Sequence, residues 1–257
     1  LTFADAKQRF SSRVADYARY RPGYPAALLD LLREECGLRA EHVIADVGSG
    51  TGLLSKLFLE NGNRVFGVEP NPDMRAAGEE FLAAFSNFLS VDGSAEATSL
   101  PGSAVDFITA GQAFHWFDPV AARQEFARIL RPEGWGVVVW NERDLDRTAF
   151  AREYEDLLVH FGTDYRRVKE AYPGGEDIRS FFLGNKFVAR ELPNFQEFGF
   201  EELAGRLRSS SYAPLPDDPN FAPMMEALGK IFRVHSVKGR VRMEYSTRIY
   251  FGRLERA

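Results

Sequence analysis

The chain has 257 residues, is 45 % hydrophobic and 27 % charged, and carries a formal net charge of −5. Those values suit one globular domain with a sizeable core, and they argue against a protein built to grip nucleic acid non-specifically, which needs a basic surface. Cys36 is the sole cysteine. It rules out an intrachain disulfide and a multi-cysteine metal site, and a reducing, cytoplasmic setting fits best.

No apolar run in the sequence approaches the roughly 18 residues of a membrane span. The sequence opens on Leu1, so residues can precede it, and the part present shows no signal-peptide pattern.

Phe3, Phe10, Val14 and Tyr17 share one helix face, and the breakers Pro22, Gly23 and Pro25 end that helix. "PAALLDLLREECG" reads as a second helix. "HVIADVG" is a short apolar run closed by glycine, as in a buried parallel strand. The helix "TGLLSKLFLENG", the strand "RVFGVEP" and the helix "NPDMRAAGEEFLAAF" follow, the last with Asn71 as N-cap and Pro72 at its first position. "FLSVDGSAE" and "AVDFITAGQAFHW" are strands running into loops. "DPVAARQEFARILRPEG" reads as a helix capped by Asp118, and "WGVVVWN" as a strand. Strands alternating with helices from Val43 to Asn141 predict an α/β, doubly wound, mostly parallel sheet.

Beyond Asn141 the pattern changes. Phe150, Tyr154, Leu157, Leu158 and Phe161 mark an amphipathic helix. "AYPGGEDIRSFFLGNK" is looser, "FVARELPNF" is a candidate strand, and "FEELAGRLRSSSYAP" and "APMMEALGKIFRVH" contain helices. From Val241 to Phe251 apolar and polar residues alternate, which predicts an antiparallel strand at or near the end of the sheet.

The chemistry-bearing stretch is "ADVGSGTGLL", Ala45 to Leu54. It follows a strand and opens a helix, so it lies at the carboxyl edge of the sheet, where open α/β sheets bind ligands. It lacks the lysine of a triphosphate-binding loop. Gly48 and Gly50 match the start of a dinucleotide fingerprint, but the third glycine comes one place early, at Gly52. Glu69 ends the next strand, 69 − 50 = 19 residues after Gly50, the distance at which a carboxylate meets ribose hydroxyls. The pattern therefore points to a ribose-bearing cofactor other than a nicotinamide dinucleotide.

These residues resemble a known family. "VIADVGSGTGLLSKLF", "VFGVEPNPDM", "SVDGSAEATSLPGSAVDFITAGQAFHWFD" and "ILRPEGWGVVVWN" look, in this order, like the motifs of class I S-adenosylmethionine-dependent methyltransferases. "DYARYRPGYP" and "SSSYAP" are similar to its small-molecule branch, the methyltransferase type 11 or trans-aconitate methyltransferase-like enzymes. The resemblance implies a Rossmann-like single domain over 1–257, with a cofactor-binding core at about 38–141, an N-terminal helical cover at 1–37, and C-terminal lid helices and last strands at 142–257.

The resemblance also implies S-adenosylmethionine as cofactor and S-adenosylhomocysteine as product. Asp46, Gly48, Ser49 and Gly50 would face the methionine end, and Glu69 with Pro70 the ribose. Met74, Ser94 and Ala95 would lie at the adenine, and Gln112 beneath the sulfonium. Many relatives carry aspartate where this chain has Ser94. His115 is the candidate general base, because histidine titrates near neutrality. Tyr20, Arg21 and Trp116 are candidate lid or acceptor-pocket residues.

Purely structural roles stay open: Asp46 as a helix cap, Met74 as core, Gln112 and His115 as loop hydrogen-bonders, Arg21 on a solvated turn. The expected acceptor is a small molecule with an oxygen or carbon nucleophile, a carboxylate among the options, with no nucleic acid, membrane or metal involved. A non-catalytic S-adenosylmethionine-binding regulator and a dinucleotide-dependent oxidoreductase are the alternatives.

Overall fold

A computed structural model describes residues 19–166, 175–183 and 186–254. The helix expected over Phe3–Tyr17 lies outside them. Apolar strand runs punctuated by glycine or asparagine place seven strands in one sheet: β1 (Val43–Val47), β2 (Arg64–Val68), β3 (Phe88–Val91), β4 (Val105–Gly111), β5 (Leu130–Arg143), β6 (Val188–Phe198) and β7 (Val241–Arg253). Their order is β3-β2-β1-β4-β5-β7-β6. β3, β2, β1, β4 and β5 run parallel to one another, and β7 runs antiparallel to both β5 and β6. The strand order reverses between β1 and β4, and the crevice at such a switch point is where α/β sheets take ligands.

The helices are α1 (Ala27–Cys36), α2 (Leu53–Glu60), α3 (Pro72–Phe81), α4 (Pro119–Ile129), α5 (Ala149–Phe161), α6 (Gly175–Phe181), α7 (Phe200–Arg208) and α8 (Phe221–His235). Leu28, Leu32, Leu54 and Phe58 of α1 and α2 fill one face of the sheet with Ile44, Phe107 and Phe251. Phe126, Ile178 and Phe181 of α4 and α6 fill another core with Ile108, Val138 and Trp140. A third core joins α5, α7 and α8 to Met243 and Tyr245 of β7.

The caps form as the local sequence dictates. The Asn71 side chain accepts from the backbone N–H of Asp73 and Met74, and Asp118 accepts from Val120 and Ala121, with Pro72 and Pro119 at the first turn of each helix.

Two stretches differ from the sequence reading. Residues 130–134 are strand rather than helix: α4 stops at Ile129 and Leu130 turns extended, because Pro132 inside a helix would cost a hydrogen bond and a clash. The pairing with β4 slips there, between Val105 and Phe107, and Glu133 takes a positive φ of 65°. "EDIRSFF" is more ordered than its composition implied, with Ile178, Phe181 and Phe182 each 1 % exposed.

Candidate active site

The loop after β1 is the centre of the site. Gly48, Gly50 and Gly52 all have positive φ, at 70°, 56° and 84°. Side chains rarely accept that conformation, and three such turns in five residues fold the main chain tightly over the switch point. The backbone N–H groups of Gly48 and Ser49 donate to the carbonyl of Val68 at 2.8 and 3.1 Å, which moors the loop to the end of β2. A Cβ on Gly48 would stand 2.5 Å from the Cβ of Ala113, so this glycine admits the loop after β4 as a close neighbour. A Cβ on Gly50 would stand 3.2 Å from Cε of Met74. Met74 is buried, 5 % exposed, with its methyl group against the glycine loop.

Glu69 sits just past β2 and is 8 % exposed. Its Oε2 accepts from the N–H of Gly50 at 2.9 Å and its Oε1 from the N–H of Asn71 at 2.8 Å. Burial pushes its pKa up, and the N–H groups of Asn71 and Gly50 pull it back down. Each carboxylate oxygen has two lone pairs, so both can accept a further hydroxyl. Glu69 therefore braces the glycine loop and presents charge to the crevice with the same two atoms. Partly buried Pro70 follows it.

Asp46 is tied into the framework beneath the loop. It is 1 % exposed, and its carboxylate accepts from the hydroxyls of Ser55 at 2.6 Å and Thr109 at 3.0 Å. It joins β1, β4 and the start of α2. Burial raises its pKa to about 6 despite the hydroxyl and backbone donors of Ser55 and the hydroxyl of Thr109.

Gln112, just past β4, has a positive φ of 56°. Strained backbone of this kind is kept where the surroundings over-determine it, often at functional sites. Its Nε2 donates to the carbonyl of Asn141 at 2.9 Å, and its Oε1 is buried with no hydrogen-bond partner. Asn141 is a hub that the sequence reading missed. Its Nδ2 donates to the carbonyl of Gly23 at 3.1 Å, and its Oδ1 accepts from Thr247 at 2.6 Å and Asn194 at 3.1 Å. A Cβ on Gly111 would stand 2.4 Å from the hydroxyl oxygen of Tyr24, which places that phenol over the end of β4.

The backbone of Ser94 pairs with that of Ala97 in a tight turn, and Ala95 is part of the core beneath it. His115 and Trp116 lie on a short 3-10 turn, Phe114–Trp116, with rings 4.9 Å apart. Burial lowers the pKa of His115 to about 4, so the titration near neutrality expected from the sequence is displaced to acid and the imidazole is neutral at pH 7. Phe114 is core, packed edge-on against Trp140 and Phe181.

The segment before α1 is strapped to the far elements. The Tyr20 carbonyl accepts from Gln196, the Tyr20 ring fills the space before Gly205, and Arg21 donates to the carbonyl of Ser209 at 3.0 Å. Among the described residues, no group of three or more His, Cys, Asp and Glu side chains is arranged to hold a metal ion, and no helix is long and apolar enough to cross a membrane.

Comparison with known proteins identifies the family. The methyltransferase domain family matches residues 45–138. An uncharacterized methyltransferase of Mycobacterium tuberculosis is 36 % identical over 162 residues, which is 63 % of this chain and 63 % of that protein. An uncharacterized methyltransferase of a Geobacillus species is 33 % identical over 156 residues, 58 % of this chain and 71 % of that one. A methyltransferase structure from Anaeromyxobacter dehalogenans superposes with a TM-score of 0.67 at 22 % identity, over 93 % of this chain and 100 % of that chain, which speaks to the fold. The chain belongs to the methyltransferase family. The match to the mycobacterial relative spans less than two thirds of that relative's length.

Proposed function

We propose that the protein transfers a methyl group from S-adenosylmethionine to a small-molecule acceptor with an oxygen or carbon nucleophile. The observation that carries this is the cradle at the switch point: three left-handed glycines, of which Gly50 donates to Glu69, together with the buried, unpartnered Oε1 of Gln112. The residues fit the group. Glu69 offers charged acceptor atoms to ribose hydroxyls, with Pro70 beside it. Gly48, Ser49 and Gly50 leave main chain exposed to the amino-acid end, and Asp46 holds that loop's flanks together. Met74, Ser94 and Ala95 are the residues assigned to adenine, and the orphan oxygen of Gln112 is an acceptor available to a cationic centre.

When bound, the cofactor supplies a methyl group already activated on a sulfonium. The protein's task is then to hold an acceptor in line and exclude water, and such positioning supplies much of the barrier reduction in two-reactant chemistry. Tyr24, His115 and Trp116 border the end of β4, while Tyr20 and Arg21 strap the cover down. The neutral imidazole of His115 is free of charge at pH 7 and is able to take a proton from a hydroxyl or an acidic carbon. A carboxylate acceptor needs no base. The acidic net charge supports a small acceptor over nucleic acid, and the single cysteine supports a cytoplasmic setting.

The test is transfer of labelled methyl from S-adenosylmethionine to a library of small acids, alcohols and phenols. Label in an organic product, absent with a Gly50→Val variant, supports the reading. Full transfer by that variant would show that the chemistry occurs elsewhere.

A further inference from the structure

The cover ahead of α1, residues 20–25, contains Pro22 and Pro25, which have no backbone N–H, so a main-chain ladder over it would be broken at two places. Side chains from 118 to 176 residues further along the chain hold it instead. Gly23 offers one carbonyl to two amides, Asn141 Nδ2 at 3.1 Å and Asn194 Nδ2 at 2.9 Å. The carbonyl of Tyr20 accepts from Gln196 Nε2 at 3.3 Å. Asn194 and Gln196 stand two apart on the edge strand β6, so they share one face of it.

None of the three amides can turn round without loss. The oxygen of Asn141 accepts from the Thr247 hydroxyl at 2.6 Å and from Asn194 at 3.1 Å. The oxygen of Asn194 accepts from the N–H of Phe195 at 2.9 Å, and that of Gln196 from the Tyr245 hydroxyl at 3.0 Å. With each oxygen engaged, each NH₂ group faces the cover. Donors oriented in advance hold an acceptor with little further ordering cost.

What this arrangement places is Tyr24. A Cβ on Gly111 would collide with the Tyr24 hydroxyl and with Cδ2 of Leu54. Gly111 immediately precedes Gln112, and Leu54 is the second residue after Gly52 of the glycine loop. The phenol therefore stands where the end of β4 meets the start of α2, one residue from the clasped carbonyl of Gly23. The main-chain carbonyl of Asn141 accepts from Gln112 at 2.9 Å, so Asn141 meets the cover with its side chain and Gln112 with its backbone. The family match over residues 45–138 includes none of Tyr24, Asn141, Asn194 and Gln196.

We propose that Asn141, Asn194 and Gln196 are positioning residues: an amide clasp that holds the cover shut and, by fixing Gly23, keeps Tyr24 as a wall of the crevice, which slows escape of the bound cofactor. Retention of the cofactor rests on the methyl-transfer reading; the clasp on the cover does not.

The test uses the full chain with Asn194→Ala, Asn194→Asp and the double variant Asn194→Ala/Gln196→Ala. Both positions are half-buried on an edge strand, so these changes leave the three cores intact. Hydrogen exchange of a peptide spanning residues 19–26, read by mass spectrometry without ligand, should run about tenfold faster in the double variant, which loses donors to both carbonyls. Stopped-flow dissociation of S-adenosylhomocysteine should quicken about threefold in Asn194→Ala and about tenfold in the double variant. Asn194→Asp keeps the shape but loses the donor, and should match Asn194→Ala. Tyr24→Ala should quicken dissociation by itself, and adding Asn194→Ala to it should change nothing more, because the wall that the clasp positions has already gone.

Unchanged exchange over residues 19–26 overturns the clasp, as does an Asn194→Asp protein that behaves like wild type. Faster exchange with unchanged S-adenosylhomocysteine dissociation overturns the positioning role, and so do effects of Tyr24→Ala and Asn194→Ala that multiply independently. A wild type that does not bind S-adenosylhomocysteine overturns the methyl-transfer reading and cofactor retention with it, and hydrogen exchange then decides the clasp alone.

Discussion

Replacing Glu69 by Gln perturbs two things at once. In the wild type both carboxylate oxygens accept a backbone N–H, from Gly50 at 2.9 Å and from Asn71 at 2.8 Å. In the variant one of those oxygens becomes an amide NH₂, so one buried donor faces another donor. Loss of a charged acceptor costs about 1.5–3 kcal/mol. Part of that is recovered, because burial penalises the carboxylate charge in the wild type. The variant should therefore be less stable by about 1–2 kcal/mol before any ligand is added. Weaker cofactor binding alone cannot then establish a ribose contact, since a distorted glycine loop weakens any ligand. A double-difference measurement separates the two. S-adenosylhomocysteine and its 2′,3′-dideoxy analogue are titrated by calorimetry into wild type and Glu69→Gln. A hydroxyl bonded to the carboxylate gives the wild type a roughly tenfold or greater preference for the natural ligand, and the variant loses most of it. An equal preference in both proteins would refute the ribose role and leave Glu69 as a brace for the loop.

Gly50→Val should destabilise the protein by about 1–2 kcal/mol in thermal unfolding, from the positive φ of 56°, and should bind S-adenosylhomocysteine poorly. Met74 can move its methyl group aside, so Gly50→Ala should be milder than Gly50→Val. His115 has its folded pKa lowered from 6.5 to about 4, so the folded state binds fewer protons than the unfolded state in that window. Its contribution to stability is present above pH 6.5 and is lost as pH falls to 4, on the order of 3 kcal/mol, and His115→Gln should flatten that arm of the pH–stability curve. Asp46 has the opposite sign. Its folded pKa is raised from 3.8 to about 6, so stability falls as pH rises through that window, and Asp46→Asn should be relatively more stable at pH 7 than at pH 4, read from chemical denaturation at both. If His115 is the base for a hydroxyl or carbon acceptor, His115→Ala should slow single-turnover transfer by roughly 10²–10⁴, and the wild-type profile should show no step near pH 6.5 from this residue.

The parts of the site that read directly from sequence are those governed by local rules. Asn71-Pro72 and Asp118-Pro119 declare helix starts, and the glycines before "LLSKLF" declare a tight strand-to-helix turn. Glu69 is found by counting from that turn. What stayed hidden depends on distant partners. Asn141 reads as the last residue of a strand, and its role comes from Gly23, Asn194 and Thr247, which only the fold brings to it. Asp46 has a ligand-facing motif position, but Thr109, 63 residues away, closes over it. Pro132 was the missed warning that "ILRPEG" cannot stay helical.

The cofactor cradle is tested most directly by calorimetric titration of the purified chain with S-adenosylhomocysteine and, separately, with NAD. Saturable binding of S-adenosylhomocysteine, absent for NAD and lost in Gly50→Val, is the expected result. Binding of NAD in preference, or S-adenosylhomocysteine binding that survives Gly50→Val unchanged, would contradict a methyl-donor site built on the glycine loop and Glu69.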